Sequence, residues 1–220
     1  TGYQDYAKYR SDPSKEASSQ LSPYFHFGQI STHEVFEKIS NLESWSPESI
    51  DPKMVGRREG WWGGTENLES FMDELITWRE LGYHTCVRRA NYNQYSSLPE
   101  WAIKTLHEHS TDEREHIYSL DELTYSQTHD EIWNAAQNQL RTQGIIQNYL
   151  RMLWGKKILE WTPNPQLALS YMITLNDRFS LDGRDPNSYS GVFWILGRYD
   201  RAWGPERSIY GKIRYMTSDS

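Results

Sequence analysis

The stretch over residues 128–161 places the strongest constraint on how this chain of 220 residues folds. Its apolar spacing predicts two helices that meet at Gly144. Thr128, followed three residues later by Glu131, forms the pattern of a capping box, so we expect the first helix to begin there. Proline cannot continue a helix, and Pro163 therefore predicts where the second helix has ended.

The second predicted helix brings functional side chains together. Asn148, Arg151 and Met152 lie at positions i, i+3 and i+4, so an amide, a fixed positive charge and a soft apolar group share one face. Trp161 returns to nearly the same face as Trp154, displaced by about 10.5 Å along the axis at 1.5 Å of rise per residue. An electron can pass between indoles at that separation. Aromatic residues at helical spacing are more often core, and periodicity alone favours that role.

Composition excludes several classes of protein. A formal charge of -7 argues against nonspecific coating of nucleic acid, although it permits a local basic face. Cys86 is the single cysteine, which excludes a disulfide framework and fits a reducing compartment. The sequence has no apolar run of membrane-spanning length and no signal-peptide pattern, so we expect a cytoplasmic protein without membrane contact.

Other segments carry local signals. The run Gly60–Gly64 contains two tryptophans, which we interpret as an aromatic lid on the core. Residues 107–116 contain three histidines without regular ligand spacing, so a solvated charged segment is favoured over a metal site. Residues 181–187 predict a turn. Further helices are predicted over residues 32–40, from Thr65 to about Arg89, from Leu98, and from Asn164 to about Arg178.

Two segments are suited to phosphate. Hydroxyl residues at 18–22 precede Pro23 and a helix start, where free N–H groups and hydroxyls can bind a phosphate, although serine before proline is usually only a cap. The tail over residues 198–214 holds five Arg or Lys against two acids. We expect a hairpin or ordered loop there, since Gly204-Pro205 predicts a turn. Interleaved basic and aromatic residues suit phosphate contact and base stacking.

Several sequence motifs resemble those of a known family. LRMLWGKKILEWT, LDGRDPNSYSG, YDRAWG and GKIRYM resemble the photolyase and cryptochrome family, in particular the class II cyclobutane pyrimidine dimer photolyases. The match recurs in order from LSPYFHFGQIS to IRYM. The resemblance implies an all-α FAD-binding domain over residues 1–220, without the α/β antenna domain that normally precedes it.

The resemblance also implies residue roles. Asp182 would form an ion pair with Arg151 beside the flavin, and Asn176 would face the flavin N5, with Asn187 as a competing candidate. The implied cofactor-binding residues are Tyr6, Ser18, Ser19, Gln20, Leu21, Ser22, Arg79, Arg151, Asn176, Asp182, Gly183 and Arg184. The implied catalytic residues are Glu74, Trp78, Asn148, Met152, Asn176, Asp200 and Trp203. The implied DNA contacts are Arg201, Arg207, Lys212 and Arg214.

Electron transfer is implied along three indoles that lead inward from the surface. Trp154 would lie nearest the cofactor, Trp133 in the middle and Trp161 outermost. The resulting function is light-driven repair, in which reduced FAD gives an electron to a flipped-out cyclobutane dimer in UV-damaged DNA.

Alternatives to this function stay open. They are a cryptochrome-like photoreceptor, a lyase for (6-4) photoproducts, and a helical scaffold that has lost its flavin. Gln147 and Asn148 resemble the residues of class I photolyases more than those of class II, so the lesion type stays open. We expect a monomer that associates with the nucleoid when it is bound to DNA.

Overall fold

The regular elements of this protein are helices, which confirms the all-α prediction. The computed structural model describes residues 3–15, 17–57 and 59–218. The α-helices are α1 (Tyr6–Tyr9), α2 (Ser22–His26), α3 (Thr32–Leu42), α4 (Glu66–Met72), α5 (Arg79–Arg88), α6 (Glu100–Glu108), α7 (Leu120–Thr124), α8 (Glu131–Gln143), α9 (Asn148–Glu160), α10 (Pro165–Phe179) and α11 (Pro186–Ile195). Short 3-10 turns cover Tyr3–Asp5, Pro47–Ser49, Pro52–Met54 and Tyr95–Ser97.

The chain divides into two compact units, Thr1–Leu81 and Gly82–Ser220. The expectation of one FAD-binding domain over residues 1–220 stays a prediction. Across the described ranges, no helix combines the length and the apolar character of a membrane span.

The first unit is built around α4. Thr65 caps this helix as predicted, because its hydroxyl accepts a hydrogen bond from the Leu68 N–H at 3.2 Å. The predicted long helix is wrong in one respect, since a π-helical turn over Asp73–Trp78 interrupts it. Trp62 is buried and its carbonyl accepts from the Trp45 indole at 2.6 Å, which confirms the aromatic lid.

The second unit packs α8, α9, α10 and α11 around a core that includes Trp133, Trp154 and Phe193. The two helices predicted around Gly144 are confirmed, because this glycine ends α8 at a φ of 72°. The predicted capping box is wrong. Asp130 is the cap, and its carboxylate accepts from the Trp133 N–H at 2.9 Å, while the Thr128 hydroxyl donates to the Asn134 amide.

Three of the described helices lie where sequence analysis gave none, and one of them is the four-residue α1. Helix α7 begins with a capping box made by Ser119 and Glu122, just beyond the charged segment over residues 107–116. Helix α11 begins at Pro186 after Asp185, whose side chain accepts from the Asn187 N–H. Both starts have recognisable cap signals. The C-terminal tail is an ordered loop rather than a hairpin, with an isolated bridge between residues 207 and 211.

Two glycine substitutions should change stability in opposite directions. At Gly144, a Cβ atom would lie 2.5 Å from Leu181 Cγ and the backbone is left-handed, so Gly144→Ala should lower the free energy of unfolding by at least about 1–2 kcal/mol. At Gly191, inside α11, a Cβ would meet nothing within 4 Å, so Gly191→Ala should raise it by about 0.5–1 kcal/mol. Urea titrations of both variants measure this, and equal effects would contradict it.

Candidate cofactor site and nucleic-acid surface

A polar cluster surrounds Arg151 on α9 in the second unit. The guanidinium donates to Asn176 Oδ1 at 2.9 Å and lies 3.7 Å from the Asp182 carboxylate. The side chains of Arg151 and Asp182 are 16% and 18% exposed, so the ion pair is shielded from most solvent. The Ser180 hydroxyl donates to Asp182 and fixes that carboxylate. The structure thus brings together the three residues on which the predicted cofactor site depends.

The Asn176 side chain has a defined orientation. Because a guanidinium can only donate, the amide oxygen faces Arg151. The amide nitrogen then donates to the Ser188 hydroxyl. Asn176 is 3% exposed, so the remaining lone pair of its oxygen is the acceptor that it can offer to a ligand. Asn187 lies in the first turn of α11 with its N–H bonded to the Asp185 cap. Both residues therefore stay candidates for the position that faces the flavin N5.

Gly183 and Arg184 shape the loop that carries Asp182. A Cβ atom on Gly183 would lie 2.9–3.0 Å from backbone atoms of residues 176, 177 and 180, so only glycine lets the loop approach α10 this closely. Arg184 adopts a φ of 66°, and its N–H donates to the Asp177 carboxylate at 3.1 Å. The contacts of Gly183 are with the protein itself, and its predicted role in cofactor binding stays a prediction.

Asn148 and Met152 stand on the same helix as Arg151. Asn148 is the first residue of α9 and is exposed, and Met152 is half-buried against the core of the second unit. Gln147 is the cap of α9, since its Oε1 accepts from the N–H groups of residues 149 and 150.

The three predicted electron-transfer residues lie close together in the second unit. Trp133 donates its indole N–H to the Trp154 carbonyl oxygen at 3.0 Å. Its ring centroid lies 5.6 Å from that of Trp161, in an edge-on arrangement. Trp154 donates to the fully buried Gln137 at 2.8 Å. Trp133 thus contacts the Trp161 ring and the Trp154 main chain, and its predicted middle position stays a prediction.

The expected surface position of Trp161 is wrong. Trp161 is 2% exposed, about as little as Trp154. The rings of half-buried Tyr118 and exposed His129 lie 5.5 and 5.2 Å from its ring, and they cover it from the solvent. Spacing along one helix placed this residue near Trp154, but it could not reveal what another segment packs against it.

In the first unit, the predicted lesion-side acid has a partner that sequence analysis missed. Arg10 forms an ion pair with Glu74, and the two residues lie 64 positions apart, so no local pattern could indicate it. The Tyr6 ring is also 6.0 Å from the Arg10 guanidinium carbon. Burial, followed by the charge of Glu74, raises the pKa of Tyr6 to about 12. Tyr6, Arg10 and Glu74 thus form one cluster.

The other predicted residues of this unit lie on two segments. The Trp78 indole donates to Asp73 at 3.0 Å, and the Arg79 guanidinium carbon lies 5.3 Å from the centre of the Phe25 ring. Ser18, Ser19 and Gln20 are exposed, Leu21 caps the five-residue helix α2, and Ser22 begins it. The hydroxyl groups of this segment are therefore accessible, as a phosphate site would require.

The C-terminal basic loop, residues 198–214, orders its cations against aromatic rings. Trp203 donates its indole N–H to both carboxylate oxygens of Asp200 at 3.1 Å. The guanidinium carbons of Arg201 and Arg214 lie 4.7 and 5.2 Å from the Trp203 ring. Arg214 also lies 5.6 Å from the ring of Trp194, a residue that sequence analysis did not select.

Arg207 and Lys212 of the C-terminal basic loop are exposed, whereas Arg198 at its start is buried. Arg207 lies 4.5 Å from the ring of Tyr215, and Lys212 forms an ion pair with Glu206 at 3.1 Å. The loop is anchored by Asp112, which accepts from the Ile209 N–H at 2.8 Å. The histidine-rich segment therefore supplies an anchor for the predicted nucleic-acid surface.

A buried lysine lies beneath this surface. Lys156 is fully buried, donates to the Ile195 carbonyl oxygen at 2.6 Å, and lies 5.5 Å from the Trp194 ring. Burial lowers the pKa of Lys156 from 10.5 to about 7, although the charge of Asp200 opposes this.

Lys156 should make stability depend on pH. Between about pH 7 and 10.5 the unfolded chain binds a proton that the folded protein does not, so the free energy of unfolding rises with pH. Lys156→Met should remove this rise, with its largest gain in stability over wild type at pH 7 and below. Urea titrations at pH 7, 8 and 9 measure it, with the exposed Lys104→Met as the control. Parallel pH profiles for wild type and Lys156→Met would contradict it.

Comparison with known proteins places the chain in a family. No family model matches. Three curated proteins, each named deoxyribodipyrimidine photo-lyase, align over 94–96% of this chain: 44% identity in Methanothermobacter thermautotrophicus, 43% in Potorous tridactylus and 42% in Oryza sativa subsp. japonica. The chain spans 42%, 36% and 38% of the length of these relatives. With residues that match at this level over nearly its whole length, the chain belongs to the photolyase family.

Proposed function

We propose that this chain forms the FAD-binding part of a light-driven repair enzyme that acts on cyclobutane pyrimidine dimers in DNA. The observation that carries the proposal is the arrangement on α9, where Arg151 lies about one turn from the buried Trp154. The Trp133 indole donates to the Trp154 carbonyl oxygen and packs against the Trp161 ring. A shielded cation beside a tryptophan relay suits a cofactor that is both charged and photoreduced. The names of the relatives support the same reaction. The class II subtype stays a prediction.

The cluster around Arg151 fits an anionic flavin. Its guanidinium is mostly shielded, and the Asp182 ion pair fixes its orientation, so its charge would stabilise negative charge placed beside it. Asn176 would offer its oxygen lone pair to the flavin N5–H. The hydroxyl groups of residues 18–22, together with Tyr6 and Arg79, would bind the pyrophosphate side. When bound, FAD supplies light absorption and the electron for repair.

The indole relay would resupply electrons. Trp154 would give up an electron first. Trp133 would then reduce the oxidised Trp154, and Trp161 would reduce the oxidised Trp133. The bond from the Trp133 indole to the Trp154 carbonyl oxygen and the packing of Trp133 against Trp161 support this order. Since all three indoles are at most 2% exposed, water is excluded along the relay.

The DNA side would use two sets of residues. Photolyases are among the enzymes that act on an extruded base, and extrusion costs least where the base pair is damaged. Glu74, Trp78, Asn148, Met152, Asp200 and Trp203 would contact the lesion. Arg201, Arg207, Lys212 and Arg214 would bind phosphates, and binding should therefore weaken with added salt.

Illumination of the reduced protein with an oligonucleotide that contains one thymine dimer tests the proposal. We expect intact thymines to be recovered in the light and not in the dark, as measured by chromatography of the oligonucleotide. A (6-4) photoproduct oligonucleotide is the matched substrate control. Strong flavin photoreduction without thymine recovery would overturn repair and favour a photoreceptor.

Trp154→Phe should separate photoreduction from repair. Phenylalanine is much harder to oxidise than tryptophan, so most of the photoreduction of oxidised flavin should be lost, while chemically pre-reduced protein should still repair. Flavin absorbance under illumination measures the first effect, and dimer loss measures the second. Trp101→Phe, which changes a half-buried indole outside the relay, is the control. Unchanged photoreduction in Trp154→Phe would remove the relay assignment.

A further inference from the structure

The helix that follows Thr65 changes its hydrogen-bond register in the middle of the first unit. Helix α4 ends at Met72, a π-helical turn covers Asp73–Trp78, and α5 begins at Arg79. Such turns are rare and are concentrated at functional sites. This turn contains Glu74 and Trp78, the two residues of the first unit that the proposed function places at the DNA lesion.

A side-chain hydrogen bond depends on this register. The Trp78 indole N–H donates to Asp73 Oδ2 at 3.0 Å, across five positions of the chain. In an α-helix of 3.6 residues per turn, side chains five positions apart diverge by about 140° around the axis. The i→i+5 repeat of a π-helix brings them to nearly the same face. The Asp73–Trp78 bond therefore belongs to the π turn and would be lost in a regular α-helix.

The bond between Asp73 and Trp78 also fixes the orientation of the indole ring. A carboxylate that accepts from an N–H group makes a charge-assisted bond, stronger than a neutral one. Both residues are half-buried, so water competes only in part. The neighbouring carboxylate, Glu74, is engaged by Arg10. Asp73 is thus bonded to the Trp78 indole, whereas Glu74 is bonded to Arg10.

We propose that Asp73 is a positioning residue, which stabilises the π turn and sets the plane of the Trp78 indole for stacking against an extruded pyrimidine. The inference rests on the proposed function, because it takes Trp78 as a lesion contact. A ring already ordered before binding loses less conformational freedom when the base stacks on it. The sequence gives Asp73 no motif of its own, and the role follows from its bond to Trp78.

Heteronuclear NMR of the protein with ¹⁵N-labelled indoles tests the contact without cofactor or DNA. The Trp78 N–H signal is assigned by its loss in Trp78→Phe. We expect Asp73→Ala to shift this signal and to leave the other indole signals in place, and we expect Asp73→Asn, which keeps an acceptor, to leave it near its wild-type position. An unshifted signal in Asp73→Ala would overturn the proposal.

Binding of a single-stranded oligonucleotide with and without a thymine dimer tests the function of the contact. Asp73→Ala should weaken binding of the damaged oligonucleotide by roughly 2- to 10-fold, the equivalent of one net hydrogen bond. Loss of a negative charge alone predicts tighter binding of both oligonucleotides. Asp73→Asn removes the same charge and should not weaken binding, and Glu80→Ala removes an exposed charge just beyond the turn.

A double-mutant cycle separates positioning from general stability. In the Trp78→Phe background the donor is absent, so Asp73→Ala should have no further effect on damaged-strand binding. An equal loss in both backgrounds would overturn the positioning role. A wild-type protein that binds both strands equally would overturn the proposed function itself. If wild type binds the damaged oligonucleotide more tightly than the undamaged one, and Asp73→Ala does so to the same extent, only the role of Asp73 would be overturned.

Discussion

Burial of α9 is the constraint on which the second unit depends. Every residue from Leu153 to Leu159 is buried, so the helix has no solvent face along its centre. A polar group on such a helix must find a partner inside the protein, because an unpaired buried charge is strongly destabilising. Lys156 donates to the Ile195 carbonyl oxygen. At the half-buried start of the helix, Arg151 donates to Asn176 and forms an ion pair with Asp182. The predicted cofactor site is thus the place where the helix emerges from the core.

The same constraint connects the indole relay to the core. Trp133 and Trp154 are large side chains that fill space between helices, and each buried N–H needs an acceptor. Trp133 uses the carbonyl of Trp154, and Trp154 uses Gln137, which is itself fully buried. Core packing and electron transfer, the two roles that helical spacing left open for these tryptophans, therefore do not exclude each other.

The sequence was sufficient for most helices, because they depend on local spacing. The pairing of Arg151 with Asp182 was implied by the family resemblance and not by spacing. The sequence failed where a decision depended on distant residues. The cap of α8 is Asp130 because Thr128 bonds to Asn134 instead, and Arg10 reaches Glu74 from another part of the chain. The π turn has no proline or glycine to mark it. Trp161 is covered by Tyr118 and His129, which no helical periodicity could indicate.

The Arg10–Glu74 ion pair bears on how the proposed enzyme would treat its lesion. A carboxylate beside a pyrimidine donates a hydrogen bond only when it is protonated and accepts one when it is ionised. In the structure a guanidinium, which can only donate, contacts one oxygen of Glu74, so the carboxylate is held as an acceptor. An ionised Glu74 would accept from a pyrimidine N–H, and Arg10 would limit the repulsion between that carboxylate and nearby phosphates. In the proposed function the predicted acid would therefore act as a pair, and its chemistry at the lesion would depend on a residue 64 positions away.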